Sequence, residues 1–254
     1  MANFFIQQTH SLSTLTINLE GDTIVVTPDA LRLTHPITNT TGRALYTSPL
    51  HLWEHSTLRV SSFDTNFTFV LSATEYEHEP SDGITFFIAP IDTTIPHDSY
   101  GGFLGLFTPE NAFNASANQV VAVEFDTFRN PWDPRDIHFS ILANTISSET
   151  YQNFERRENE IVSARITYTP PLRGESGTLT ASYSYPPYTT PASTITLPIN
   201  LHTVLPQWVS IGFSSSTGDY TQTHIVRTWS FSSQLLSIEN TKEENDVYNT
   251  VRDV

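Results

Sequence analysis

The stretch Val120 to Ile141, reading VVAVEFDTFRNPWDPRDIHFSI, restricts this chain more than any other. Its first half alternates like an extended segment. Val121, Val123 and Phe125 share one face, while Glu124 and Asp126 share the other. Two carboxylates therefore project together from the rear of an apolar surface. Left alone they repel, and one must take up a proton. A divalent cation removes the conflict. The second half offers Asn130, Asp133 and His138, on a loop stiffened by Pro131 and Pro134. Oxygen donors such as Asp, Asn and a backbone carbonyl suit Ca²⁺, whereas an imidazole with carboxylates suits Mn²⁺ or a similar transition ion. The set divides into two neighbouring sites that share Asp126 and Asp133. Glu124 and His138 complete the transition-metal site; Asn130 and a main-chain carbonyl near Phe128 complete the calcium site. A solvated acidic loop behind an ordinary strand is the alternative, and the ordered set of five donors argues for metal.

The rest of the chain is patterned for strands. Ser62–Leu71 puts Phe63, Thr65, Phe67, Phe69 and Leu71 on one face and Asn66, Thr68 and Val70 on the other. Ile84–Ala89 is a near-continuous apolar run, which predicts a strand buried on both faces. Further strands are expected at Asn3–Gln8, Leu12–Leu19, Thr23–Thr27 and Ala30–Thr34. Later ones are expected at Ile161–Thr169, Thr178–Tyr185, Ser193–Leu197, Gln207–Ser214 and His224–Phe231. Asn39–Gly42 reads as a surface loop, Tyr46–Trp53 as a return to the core, and Glu75–Glu79 and Glu155–Glu160 as solvated loops. No long segment has a 3.6-residue apolar stripe; a single helical turn is expected near Leu201–Leu205. Many short strands without a linker or a shift in composition indicate one all-β domain, a sandwich or jelly roll.

Composition narrows the partners. With 12 basic and 27 acidic residues the formal charge is −15, which disfavours nucleic acid and anionic membranes. The chain has no cysteine, so disulfides and thiolate chemistry are excluded. It has no apolar run of the roughly 18 residues a membrane helix needs. N-x-S/T triplets at Asn39, Asn66 and Asn114 point to a secretory route, vacuolar and protein-storage or extracellular. The start lacks a signal-peptide pattern, so a secreted protein would be present here in mature form.

The run V-A-V-E-F-D-T-F-x-N-P-W-D-P followed by a histidine resembles the metal-binding signature of the legume lectins. LWEHST at Leu52, SDGITFFIAP at Ser81, GGFLGLF at Gly101, VLPQWVSIGFS at Val204 and TWSF at Thr228 follow in that family's order, up to about Leu236. The resemblance implies a jelly-roll β-sandwich of antiparallel sheets, with the lectin domain over 1–238 and a polar tail over 239–254. It also implies a metal-dependent carbohydrate site without catalysis. A sugar offers many hydroxyls and a few C–H faces, so its receptor needs a carboxylate acceptor, amide donors and an aromatic ring, all preorganised.

By resemblance, Asp82 supplies the carboxylate, with the Ser81–Asp82 peptide bond cis. Gly102 donates its backbone N–H and lets the sugar approach. Asn130 serves calcium with one amide atom and the sugar with the other; Phe128 gives its carbonyl to calcium and its ring to the sugar. The loop Ser216 to Tyr220 closes the pocket with the N–H groups of Asp219 and Tyr220, and Ser148 reaches the transition metal through water. The family's H-I-G-I-D is replaced by His138-Phe-Ser-Ile-Leu142, so metal binding is expected to survive with altered support around it.

Each residue also has a plainer reading. Asp82-Gly83 suits a turn, Gly101-Gly102 a hinge or bulge, Phe128 a core position, and Trp132 loop packing. The remaining histidines lack ligand-type neighbours.

The expected function is a non-catalytic Ca²⁺/Mn²⁺-dependent lectin. A short closing loop, Gly218 to Thr223, looks more like mannose/glucose binders than galactose binders. Subunits would join edge strands into a homodimer or homotetramer. A galactose-type lectin and a lectin-like defence or storage protein, such as the arcelins and amylase inhibitors, remain alternatives. A jelly-roll glycoside hydrolase needs E-x-D-x-x-E, and Arg129 stands where the last Glu should be. A lectin receptor kinase ectodomain would need a membrane span.

Overall fold

A computed structural model describes residues 6–8, 17–27, 30–73, 81–171 and 176–236. Two antiparallel sheets hold about half of these and almost all of the regular secondary structure. The nine-stranded sheet runs Ser193–Pro198, Thr178–Ser184, Ile161–Thr169, Arg59–Ala73, Gln222–Leu236, Ala30–Arg32, Ile24–Thr27. Ile6–Gln8 and Trp53–Glu54 pair onto it at the side. The eight-stranded sheet runs Thr150–Asn153, His138–Ala143, Val121–Asp126, Gly83–Pro90, Trp208–Ser216, Thr41–Tyr46, Ile17–Gly21, with Leu50–His51 attached to Trp208–Ser216.

The predicted alternation holds in Arg59–Ala73, where Phe63, Phe67 and Phe69 are buried and Asn66 is exposed. Between the sheets, Phe67, Phe69, Phe86, Phe125, Phe139, Phe213 and Trp229 form the main core. Phe125 makes ring contacts with Phe67, Phe69, Phe139, Phe154 and Tyr183, its centroid 4.7 Å from that of Phe69. It thereby ties the carboxylate-bearing strand to the opposite sheet, and its truncation to Ala is worth about 3–5 kcal/mol.

Glu124 and Asp126 alternate with Phe125 and so face away from this core, yet both are only 2% exposed. A second apolar cluster explains why. Phe87, Ala122 and Leu142 from the rear of the eight-stranded sheet pack with Leu106, Phe107, Ala112 and Ile146 from the covering loops. Strand register then orders the rear face in rows. Phe87, Ala122 and Leu142 form an apolar row. Thr85, Glu124 and Ser140 form the next, and Gly83, Asp126 and His138 the last.

Several boundaries differ from those the sequence suggested. Asn39 is exposed, but Thr40 and Gly42 are buried and a strand starts at Thr41, so Asn39–Gly42 is only partly a surface loop. Thr150–Asn153 is an added edge strand too short and polar to announce itself. Short 3₁₀ turns occur at Gly101–Phe103 and Ala115–Ala117, and the expected helical turn spans Leu201–Val204. The acidic loop Glu75–Glu79 and the tail 239–254 lie outside the described residues. Among the described residues no helix is long and apolar enough to cross a membrane.

Candidate carbohydrate and metal site

The site is assembled at one end of three neighbouring strands: Val121–Asp126, Gly83–Pro90 and Trp208–Ser216. Asp82 immediately precedes the middle one. Its peptide bond to Ser81 is cis, as expected. The Asp82 N–H donates to the Ser216 carbonyl (3.0 Å), and its own carbonyl accepts from the Thr127 N–H (2.8 Å) and hydroxyl (3.1 Å). Both flanking strands thus hold its backbone. The Ser81 hydroxyl donates towards Asp82 Oδ2 (2.8 Å) and the Tyr220 carbonyl (2.9 Å), and accepts from the Gly218 N–H (3.0 Å). Ser81 couples the acid to the closing loop, a role the sequence reading missed although it stands beside Asp82.

Four loops converge around the Asp82 carboxylate. A Cβ added to Gly218 would lie 2.7 Å from Asp82 Oδ2, and one added to Gly101 3.8 Å from the same oxygen. A Cβ on Gly102 would run into the Asn130 amide, 2.5 Å from its Cγ. Gly102 is therefore required by close approach. The Gly101 N–H donates to the Thr217 carbonyl (3.0 Å), and the Gly101 carbonyl accepts from the Ser216 hydroxyl (2.5 Å). Behind the closing loop, Thr217 and Thr40 share three hydrogen bonds, and the Thr217 hydroxyl donates to the Ile37 carbonyl (2.7 Å). These anchors lie far apart in sequence and no local pattern announces them.

Phe128 and Tyr220 place their rings 5.6 Å apart at the rim, each partly exposed. Asp219 is exposed and close enough to Asp82 to act on its charge. Trp132 stacks on Phe103 at 5.3 Å and meets Phe113 edge-on, the loop-packing role of its plainer reading.

The expected metal donors form a second, deeper group. One donor atom each from Glu124, Asp126 and His138 lies within 4.8 Å of the others, and all three residues are buried. His138 Nε2 is 3.0 Å from Glu124 Oε1 and 3.2 Å from Ser148 Oγ, which is itself 3.3 Å from Glu124 Oε1. Asp126 Oδ1 accepts from the Phe128 N–H (2.8 Å), and Asp133 Oδ2 from the Asn130 N–H (2.6 Å). These bonds fold the loop back over the strand end. Asn130 Oδ1 is a buried acceptor with no hydrogen-bond partner. The sequence reading also missed Ser140. Its hydroxyl donates to Glu124 Oε1 from the neighbouring strand, and alternation from His138 places it on the same face.

Electrostatics describe a pocket short of positive charge. Burial, then the charges of Asp133 and Glu124, push the Asp126 carboxyl well above its usual range. Burial pushes Asp133 to about 6 and Asp82 to about 7, with Asp133 and Asp219 adding to the latter. Burial alone would depress His138; the hydrogen bond and charge of Glu124, with the charge of Asp133, reverse this and raise it. Buried carboxylates shifted upward together, beside an orphaned amide oxygen and an imidazole, are the donor set that divalent cations satisfy. The residues present fit such ions.

Leu142, which replaces the acid of the family pattern, is fully buried in the second apolar cluster, and His138 Nδ1 has no hydrogen-bond partner. His224, to which the sequence reading gave no metal role, is buried with Nδ1 2.7 Å from Thr34 Oγ1. Burial pushes it down to about 3.

Comparison with known proteins agrees with this arrangement. The family model of the legume lectin domain matches residues 2–247. Agglutinin-2 of Cladrastis kentukea is 46% identical over 241 residues, covering 91% of this chain and 80% of that protein. The mannose-specific lectin CML-2 of Centrolobium microchaete is 43% identical over 227 residues, covering 85% and 89%. The lectin of Bauhinia forficata in complex with GalNAc superposes with a TM-score of 0.78 at 34% identity, covering 92% of this chain and 99% of that one. The family so matched is one of carbohydrate-binding proteins without catalysis. The chain belongs to the legume lectin family.

Proposed function

We propose that this chain is a Ca²⁺/Mn²⁺-dependent lectin of the mannose/glucose type. Asp82 accepts from sugar hydroxyls, Gly102 and the N–H groups of Asp219 and Tyr220 donate, Asn130 adds its amide, and the Phe128 ring faces a C–H surface. The carrying observation is the convergence of Asp82, Gly102, Asn130 and Gly218 from four separate loops. Glu124, Asp126, Asp133 and His138 hold the transition metal, with Ser148 reaching it through water. Asp126, Asn130, Asp133 and the Phe128 carbonyl hold calcium. The ions supply fixed positive charge that steadies the loop 126–138 and take no part in bond-making.

The short loop after Ser216 and the mannose-specific name of CML-2 support the mannose/glucose assignment. Galactose-type recognition is the second reading, favoured by the GalNAc complex of the Bauhinia forficata lectin. The edge strand Ile24–Thr27 exposes Ile24, Val25 and Val26, which suits pairing with a second copy in a homodimer or homotetramer. The exposed sequon residues Asn39, Asn66 and Asn114 suit a secretory protein, vacuolar or extracellular.

A glycan array run with Ca²⁺ and Mn²⁺, and again after chelation, tests the reading. Binding to mannose- or glucose-terminated glycans that chelation abolishes is expected. Binding that survives chelation refutes the metal dependence, and a galactose-only profile refutes the specificity.

A further inference from the structure

A buried polar tie joins the two halves of the sugar site, and none of the contacts proposed above uses it. The closing loop ends where the strand Gln222–Leu236 begins. Alternation puts Gln222, His224 and Val226 on one face of that strand, and all three are fully buried. Val226 belongs to the apolar core between the sheets. Gln222 thus sends an amide into the interior at the end of the strand next to the loop.

That amide reaches the acid's side of the site. Gln222 Oε1 accepts from the Thr127 hydroxyl at 2.8 Å. Thr127 also holds the Asp82 carbonyl, through its N–H (2.8 Å) and its hydroxyl (3.1 Å). A hydroxyl has one hydrogen, so Thr127 shares it between the backbone of the acid and the side chain of Gln222. The Gln222 backbone is held as well, its carbonyl accepting from the Thr34 hydroxyl at 3.1 Å. Ser81 joins the acid to the closing loop itself. Gln222 joins it to the strand that the loop feeds.

Packing does not explain this side chain. Gln222 Nε2 is buried with no hydrogen-bond partner among the described residues. An unpaired buried N–H is destabilising, and an apolar residue of the same length would fill the space without it. What the amide adds over such a residue is its oxygen, and that oxygen serves Thr127.

We propose that Gln222 is a positioning residue of the sugar site, fixing Asp82 through the Thr127 hydroxyl against the strand that carries the far end of the closing loop. The proposal rests on the reading of Asp82 as the sugar's acceptor. Gln222 does not touch the ligand. It keeps the acid and the N–H groups of Asp219 and Tyr220 at a set separation, so acceptor and donors meet one sugar without rearranging.

The test compares wild type with Gln222→Met, Thr127→Val and the double variant. Methionine matches glutamine in length and removes both the acceptor and the unpaired N–H, while the Thr127 hydroxyl keeps the Asp82 carbonyl. A residue that only supports the fold loses thermal stability on this change; a positioning residue loses affinity. In saturating Ca²⁺ and Mn²⁺, Gln222→Met should keep or raise its Tm and keep its metal content. Its Kd for methyl mannoside, or for methyl galactoside if wild type prefers it, should rise roughly five- to tenfold by titration calorimetry. Thr127→Val should weaken binding too, and adding Gln222→Met to it should lower affinity no further. Amide hydrogen exchange at the Thr127 N–H, read without sugar, should be several-fold faster in Gln222→Met. An unchanged Kd overturns the proposal, as does a Kd that rises only with a falling Tm and an unchanged exchange rate. Losses that multiply in the double variant overturn the route through Thr127. Should Gln222→Met not fold, Gln222→Leu takes its place, and failure of both marks the residue as structural and overturns the proposal. Wild type that binds neither glycoside refutes the lectin reading, whereas the exchange rate reports on the tie alone.

Discussion

Replacing Gly102 with alanine is the sharpest perturbation the site offers. Gly102 is buried, and its backbone is not in the left-handed region, so alanine suits the local conformation. What alanine lacks is room. The new methyl would collide with the Asn130 amide, 2.5 Å from Cγ and 2.8 Å from Nδ2. Accommodating it displaces Asn130, and overpacking of this kind costs about 1–3 kcal/mol. On the proposed reading, the displaced amide would no longer serve calcium and sugar together. Losing one hydrogen bond with charged character costs about 1.5–3 kcal/mol. At about 1.4 kcal/mol per tenfold, the sugar Kd should rise roughly ten- to hundredfold. Titration calorimetry with a methyl mannoside in saturating Ca²⁺ and Mn²⁺ measures this, and thermal unfolding measures the strain. The double variant Gly102→Ala/Asn130→Ala removes the collision, so its Tm should recover relative to Gly102→Ala while sugar binding stays lost. Wild-type affinity in Gly102→Ala, or no thermal recovery in the double variant, would refute the reasoning.

Asp133→Ala should remove both ions and sugar binding together while leaving the sandwich folded, as read by elemental analysis and far-ultraviolet circular dichroism; retained metal contradicts the shared-ligand assignment. Acid should release metal. Burial raises Asp133 to about 6 and Asp126 well above its ordinary value, so protons compete for the same oxygens as pH falls from 7 to 4; a metal content that stays flat across that range counts against it. In metal-free protein Asp82, raised to about 7, binds its proton more tightly folded than unfolded. Its destabilisation is therefore present above pH 7 and disappears as pH falls through 7 towards the unfolded value near 4. Asp82→Asn should stabilise the chelated chain at pH 8, by up to about 4 kcal/mol, and hardly at all at pH 4, while abolishing sugar binding in the metal-loaded form. Equal stability of the two chelated proteins at pH 8 would remove the electrostatic argument.

What could be read in the sequence was whatever a strand's two-residue period records. Phe63 to Leu71 and Val121 to Asp126 declare their inner and outer faces, and the spacing of Glu124, Asp126 and His138 survives into the folded geometry. Asp82 and Gly102 were recognised by likeness to a family, because nothing local distinguishes Asp82-Gly83 from a turn. What was hidden depends on register between distant strands. The burial of Glu124 from behind needs Leu106 and Phe107 to cover the sheet, and Ser140 meets Glu124 only because two strands align there. Ser81, Thr127 and Thr217 look like ordinary hydroxyl residues until the loops they join are brought together. Arg43 is the same lesson on a larger scale. A basic residue that would be placed at the surface is instead 1% exposed, donating to the Gly105 carbonyl and the Thr93 hydroxyl and lying 4.9 Å from the centre of the Phe87 ring.

Asp82 enters the middle of three adjoining strands, with the loop 126–138 arriving from one side and the closing loop from the other. Insertions or deletions between Gly218 and Thr221 would therefore reshape the mouth from one side, reaching the acid only through the bonds of Ser81 to Gly218 and Tyr220 and leaving the loop 126–138 in place. Selectivity and grip meet in such an arrangement at a single hydroxyl, so descendants of this scaffold can change clientele through one hairpin as long as the Ser81 contact is kept.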